Sequence, residues 1–360
     1  MTLGAILAAR TRESSLCERL DGHRLRCLAC GHRCPISEGQ AGVCKVRFND
    51  GGRLMVPWGY TAGVNADPIE KKPFFHVLPG SVAFSFGMLG CDLHCSYCQN
   101  WVSSQTLRDP EAKAFPRDTT PEALVTAAVR SGAASVVSTY NEPLITLEWA
   151  VDVFRLARKR GLLTGFVSNG NATPEALEYL RPHMDLFKVD LKSFDDRQYR
   201  KLGGRLAPIL DSIRRIHSMG FWLEVVTLLV PGFNDSPEEL RQMADYLVGV
   251  SPFVPWHITA FHPDYKMQDR EWTPIDSIRR AAAIGEEAGL KYVYVGNLPG
   301  ADARLENTWC HQCGELLVER YGLRTLRNRL GTEGACPKCA ARIPGVWHGS
   351  SRAGAFPVSH

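Results

Sequence analysis

The chain has 360 residues, 44% hydrophobic and 22% charged, enough for one full-sized core with small appendages. Its 42 basic and 38 acidic residues leave a net charge of +4, with no basic stripe to predict a nucleic-acid partner. No run of about 18 apolar residues is free of charge, which argues against a membrane span.

Cysteine dominates the pattern. Eleven of the 12 cysteines fall into three tight groups: Cys27/Cys30/Cys34/Cys44, Cys91/Cys95/Cys98 and Cys310/Cys313/Cys336/Cys339. The N-terminal MTLGAILAARTRESS lacks a basic n-region and has only a short apolar run, so it reads as ordinary chain rather than a secretion signal. Clustered cysteines without that signal point to thiolate ligands in a reducing cytoplasm, not to a disulfide scaffold. The first group, in RCLACGHRCPISEGQAGVCKVR, has the spacing C-x2-C-x3-C-x9-C. Four thiolates suffice for zinc or for a second, fully ligated [4Fe–4S] cluster; the spacing is not that of a ferredoxin, and zinc is the preferred reading. His23 and His32 are available as substitute ligands, and Cys17 is given no role.

From Ser81 to Gly296 short apolar or β-branched runs alternate with helical patterns. Strands are expected at Val82–Phe86, Ser135–Thr139, Leu163–Ser168, Asp185–Val189, Leu223–Val230, Trp256–Phe261 and Tyr292–Val295. Thr120-Pro121, Thr173-Pro174, Ser236-Pro237 and Thr273-Pro274 each place a capping hydroxyl before a proline suited to the first helical position. Repeated strand–helix units favour parallel pairing, so an α/β fold, a partial (β/α)6-type TIM barrel, is expected. Its chemistry would gather at the C-terminal ends of the strands.

The second cysteine group lies at such an end, in FSFGMLGCDLHCSYCQNW. Three thiolates on a [4Fe–4S] cubane leave one iron without a protein ligand. If the amino and carboxylate groups of S-adenosylmethionine occupy that iron, the reduced cluster can pass an electron into the sulfonium. Two other readings stay open: a zinc knuckle closed by His94, or a structural cluster completed by a fourth cysteine, for which Cys17 is the unassigned candidate. The third group, C-x2-C then C-x2-C after twenty-two residues, has zinc-ribbon spacing and four protein ligands, the signature of a structural site. The basic ERYGLRTLRNRL between the pairs reads as a solvated face.

GCDLHCSYCQNW resembles the cluster-binding loop of the radical S-adenosylmethionine superfamily, and TYNEP (Thr139–Pro143) resembles its GGEP-type segment. FVSNG, KVDLK, LEVVTLLVPGFND and PWHITAFHP continue the likeness, in order, to the activating enzymes of glycyl radical enzymes such as pyruvate formate-lyase. The cysteine-rich N-terminus, and VYVGNLPG followed by the last CxxC pair, resemble the radical enzyme of the AmmeMemoRadiSam system over nearly the whole chain. The resemblance implies residues 1–79 as an N-terminal cysteine-rich module, 80–300 as the radical barrel and 301–360 as a zinc-ribbon-like module with its tail. It implies a catalytic cluster on Cys91, Cys95 and Cys98, with Tyr97 against the adenine. Asn141, Glu142 and Pro143 would line the methionine end, Ser168 and Asn169 the sulfonium and ribose, Asp190 and Lys192 other polar parts, and His257 would approach from a late strand.

The function so implied is reductive cleavage of S-adenosylmethionine to a 5′-deoxyadenosyl radical that takes a hydrogen atom from an unidentified substrate. The electron donor would be a low-potential flavodoxin or ferredoxin; Memo-like and AMMECR1-like proteins are associated by name alone. Activation of a glycyl radical enzyme in trans is an alternative, and a metal-stabilised ligand-binding protein without catalysis is a competitor from another class. Two departures stand out. Val167 replaces the aspartate with which activating enzymes help bind a monovalent cation, so no equivalent cation site is expected. Tyr140 and Asn141 replace the GGEP glycines and would narrow or re-aim the pocket, which questions a large protein substrate.

Overall fold

The computed structural model describes residues 2–347; the end of the 301–360 module lies outside the described residues. One eight-stranded sheet forms the centre. Its strands are β1 (Gly63–Pro68), β2 (Val82–Gly87), β3 (Ala133–Ser138), β4 (Leu163–Ser168), β5 (Leu186–Asp190), β6 (Trp222–Leu229), β7 (Trp256–Ala260) and β8 (Val293–Gly296). From β2 to β8 neighbours in sequence are parallel neighbours in the sheet. All seven expected strands are present to within two residues at each end. The expected partial barrel is thus the fold, with α1 (Pro121–Arg130), α2 (Leu147–Lys159), α3 (Pro174–Leu180), α4 (Asp196–Lys201), α5 (Leu206–Ser218), α6 (Pro237–Val250) and α7 (Ile275–Ala288) in the crossovers. The sheet has one strand more than expected: β1 pairs antiparallel with β2. It comes from the segment expected to belong to the N-terminal module, and its alternating apolar signal is too weak to announce it.

Helix starts follow the capping logic. Thr120, Thr173 and Ser236 accept hydrogen bonds from the backbone N–H groups of Ala123, Ala176 and Glu239, each followed by proline at the first helical position. Thr273 departs from that expectation. Its hydroxyl donates to Leu229 O at 2.5 Å and accepts from Phe261 N–H at 2.8 Å, so it joins two strand ends, and α7 starts after Pro274 without a side-chain cap.

The two ends of the barrel differ in chemistry. Leu163, Leu186 and Trp222, the first residues of β4, β5 and β6, pack with Ile69, Phe74, Val77 and Val346. Chain from residues 69–78 and from the C-terminal module therefore seals the N-terminal end of the barrel, leaving the other end for the cysteine loop. The C-terminal module is a three-stranded antiparallel sheet of Thr308–Trp309, Leu316–Tyr321 and Arg324–Asn328. Arg320, fully buried, anchors it through Phe75 O at 2.7 Å and Glu70 at 3.6 Å.

The N-terminal residues are clamped to α2. Arg47 makes a bidentate pair with Glu148, both bonds 2.7 Å, and Ser14 donates to the same carboxylate at 2.5 Å. Both partners are buried. Arg47→Met is expected to destabilise the fold by about 3–5 kcal/mol, because it strands a buried carboxylate without its cation. Urea denaturation measures this, and a loss below about 1 kcal/mol would mean that water hydrates Glu148 in the variant.

Candidate cofactor site

The cysteine loop leaves β2 through Gly87, where a Cβ would lie 2.5 Å from Thr139 O. Gly90 follows with φ of 93°, and a Cβ there would meet Val46 and the carbonyl of Cys44. Both glycines are demanded by close approach of backbone. Cys95 and Tyr97 are buried with Leu93, Leu202, Val230 and Phe261, and Cys91 and Cys98 pack at the edge of that cluster. Tyr97 meets Phe233 edge-on at 5.6 Å. None of the three thiols is in a disulfide. Burial pushes all three up, Cys95 to about 12; Lys192 pulls Cys95 the other way, and Ser104, whose hydroxyl lies 3.2 Å from Cys98 Sγ, does the same for Cys98.

The ends of β3 and β4 supply a carboxylate network. Glu142 N–H donates to Gly90 O at 3.4 Å, tying this segment to the loop. Its side chain accepts from Leu144 N–H at 3.0 Å, Ser168 hydroxyl at 2.6 Å and Asn169 N–H at 2.8 Å. Asn141 accepts from Met88 N–H at 2.9 Å, and Pro143 opens the one-turn helix Pro143–Thr146. Tyr140 holds a left-handed φ of 72°, a costly conformation outside glycine. Its hydroxyl compensates by bonding Asn65, Lys72 and Ser85 at 2.8–3.2 Å.

Burial pushes Glu142 up to about 8, the Asp92 carboxylate adds to the rise, and the three donors oppose it. The native pKa lies above the unfolded value, so the native state binds the extra proton. The stability this gives is complete below the unfolded value and is lost as pH rises through about 8. Without cofactor, the urea midpoint of the wild type should therefore fall from pH 6.5 to pH 9, a window of about 2.5 units that spans that pKa, more steeply than that of Glu142→Gln. Parallel curves would assign the raised proton affinity to another group.

Asp92 is the residue that sequence reading missed. One carboxylate oxygen accepts from Asn169 Nδ2 at 2.7 Å, the other from Asn171 Nδ2 at 2.8 Å, and His32 Nε2 stands 3.8 Å away. The available signal was Asp92, the one carboxylate in the cysteine loop, directly after Cys91. Lys188 was also unassigned: it pairs with Asp190, which takes Lys192 Nζ on its second oxygen at 3.4 Å. Burial would raise Asp190, but the two lysines hold it below the usual carboxylate range. Lys192 and Asp190 both act on Cys95 and Tyr97, so these four come together. His257 goes elsewhere. It shares a 2.6 Å bond with Glu224 and packs on Phe75 and Tyr294 toward the C-terminal module.

The donor set fits the cluster that the resemblance implies. Three thiols on one loop, one buried and two half-buried and none in a disulfide, become thiolates only if a cation offsets their charge, and the polar groups of Glu142, Ser168, Asn169 and Asp190 lie on adjoining strand ends. The C-terminal set fits a single ion. Cys310–Cys339 and Cys313–Cys336 sulfurs are 3.6 and 3.7 Å apart, and all four lie within 4.8 Å. A tetrahedron with metal–sulfur bonds of about 2.3 Å has edges of about 3.8 Å, as zinc requires.

A family model described as the Radical SAM superfamily matches residues 87–247. An uncharacterized protein of Methanocaldococcus jannaschii is 36% identical over 312 residues, which cover 86% of this chain and 92% of that one. The pyruvate formate-lyase-activating enzyme of Clostridium pasteurianum is 25% identical over 200 residues, 51% of this chain and 81% of that enzyme. Among solved structures, a radical SAM methyltransferase from Sphaerobacter thermophilus aligns with a TM-score of 0.48 at 16% identity, covering 66% of this chain and 71% of that one. Matched motif, loop and strand-end residues agree: this chain is a member of the radical SAM superfamily, whose chemistry uses a [4Fe–4S] cluster and S-adenosylmethionine.

Proposed function

We propose that the protein is an enzyme that cleaves S-adenosylmethionine reductively and removes a hydrogen atom from an unidentified substrate. The observation that carries this reading is the set of three unpaired thiols on the loop after β2, tied by the Gly90–Glu142 bond to the carboxylate network of β3 and β4. When bound, the cluster and S-adenosylmethionine supply a one-electron reduction of the sulfonium and an organic radical. The protein's part is to hold and orient. Cys91, Cys95 and Cys98 would ligate the cluster, and Glu142 would meet the ammonium of the methionine moiety. Tyr97 and the apolar residues around it exclude water from that end of the barrel. A low-potential flavodoxin or ferredoxin would deliver the electron.

The test is anaerobic incubation with dithionite and S-adenosylmethionine, with formation of 5′-deoxyadenosine as the expected result. Glu142→Gln should weaken S-adenosylmethionine binding about tenfold or more, the scale of one lost charge-assisted hydrogen bond, as read by calorimetry. Equal affinity would remove Glu142 from the cofactor contacts. Action on a glycyl radical enzyme in trans is a second reading, favoured by the likeness to pyruvate formate-lyase-activating enzymes. The Tyr140 side chain, pinned where the related segments carry glycine, favours a smaller substrate instead.

A further inference from the structure

We infer that Asp92 is a positioning residue for S-adenosylmethionine, holding the end of β4 in register with the cysteine loop so that Asn169 and Glu142 meet the cofactor together; this role rests on the function proposed above. The chain leaves β4 at Ser168 and enters α3 only at Pro174. Every residue from Ser168 to Thr173 is buried, so the polar groups of this irregular stretch need partners that regular structure does not supply. The turn is also packed hard: Gly170 has a φ of 75°, and a Cβ there would lie 2.5 Å from Val189 Cγ1.

Asp92 clasps that stretch. Its two oxygens take one amide each, Asn169 Nδ2 at 2.7 Å and Asn171 Nδ2 at 2.8 Å, and Asn171 N–H donates to Asn169 Oδ1 at 2.9 Å. The carboxylate and the two asparagines thus close into one ring of hydrogen bonds. Asn169 N–H then donates to Glu142 at 2.8 Å. Two successive bonds therefore connect the residue next to Cys91 with the carboxylate assigned to the methionine ammonium. A cofactor held both at a cluster on the loop and at Glu142 is sensitive to any slip between loop and strand end, and the clasp opposes that slip.

The N-terminal segment backs the clasp from the other side. Gly31 N–H donates to Asn171 O at 2.8 Å, Cys30 bridges to Ala172, Thr173 Oγ1 donates to Leu28 O, and Arg33 pairs with Glu175 at 2.5 Å. A Cβ on Gly31 would lie 2.2 Å from Asn171 Oδ1 and 2.9 Å from Pro208 Cβ, so this approach calls for glycine. His32 Nε2, 3.8 Å from Asp92, is too far to bond it, which leaves the clasp to the two amides.

The test uses the anaerobically reconstituted full chain as wild type, Asp92→Asn, Asn171→Ala and the double variant, with iron and sulfide analysis, calorimetric S-adenosylmethionine binding and urea denaturation. Asp92→Asn turns an amide N–H toward one of the two donors, and Asn171→Ala removes a donor from outside the cysteine loop. Each single variant should hold as much iron as the wild type and bind S-adenosylmethionine about tenfold more weakly. The double variant should bind no more weakly than the weaker single, because both changes open the same clasp. A lower urea midpoint with wild-type affinity in both singles would make the clasp merely structural and overturn the proposal, as would losses that multiply in the double variant. Should Asp92→Asn hold no iron, Asn171→Ala decides alone: tenfold weaker binding sustains the proposal and unchanged binding overturns it. A wild type that holds iron but binds no S-adenosylmethionine removes the proposed function and this role with it, whereas equal binding by wild type and variants removes this role alone.

Discussion

Replacing Cys95 by alanine should abolish 5′-deoxyadenosine formation, to at most about a thousandth of the wild-type rate, because the reaction has no path without the electron-donating cluster. Cys95 is the most telling of the three thiols. It is buried among Leu93, Tyr97, Leu202, Val230 and Phe261, while Lys192 and Asp190 act on it from β5 and the residues just after it. Alanine removes one ligand and one methylene-sized volume without adding a polar group, so the apolar surroundings are kept and the loss falls on the metal. Iron and sulfide analysis together with a discontinuous assay for the nucleoside checks it. Nucleoside formed at an undiminished rate by the variant would mean that the thiol has a structural role and that the cluster lies elsewhere.

Keeping metal off the C-terminal four-cysteine set should lower stability about as much as Arg47→Met does. Structural zinc in small modules contributes binding free energy of about 10–16 kcal/mol, realised as folding energy. Here part of the module is also held by packing: Cys310 and Cys336 share an apolar cluster with Phe75, Tyr292, Tyr294, Leu317, Ile343 and Trp347. The expected loss is therefore smaller than in an isolated finger, about 3–5 kcal/mol for Cys336→Ser. It should spread, because Tyr294 lies on β8 and bonds both His76 and Thr308, and His76 N–H in turn bonds Glu224 on β6. Differential scanning calorimetry of the variant, and of wild type treated with a zinc chelator, would read it as a lower midpoint in both. An unchanged midpoint after stoichiometric zinc release would show that Arg320 and the apolar cluster hold the module by themselves.

The strand–helix alternation, the capped helix starts and the cysteine spacings were legible in the chain because each depends on neighbours a few residues apart. Val82–Gly87, Leu163–Ser168 and Leu186–Asp190 each carry their own apolar signal, and parallel order follows from the helices between them. The strand-end motifs came with them, since a residue that ends a barrel strand is brought to the same face as every other strand end. Thr273 misled for the same local reason: a hydroxyl before proline looks like a cap whether or not a neighbouring strand claims it.

What the sequence determined by itself is the barrel, the zinc-ribbon-like spacing and the three thiols of the loop after β2, all set by short-range periodicity and ligand count. Only the tertiary structure decided that Asp92 joins Asn169, Asn171 and His32, that His257 turns to Glu224, and that the N-terminal segment meets the barrel through Gly31 and the Cys44 carbonyl, at Asn171 and Gly90. Those contacts link residues tens to more than a hundred positions apart. Their partners are chosen by which buried polar group must be satisfied once the core has closed, and no local spacing along the chain encodes that choice.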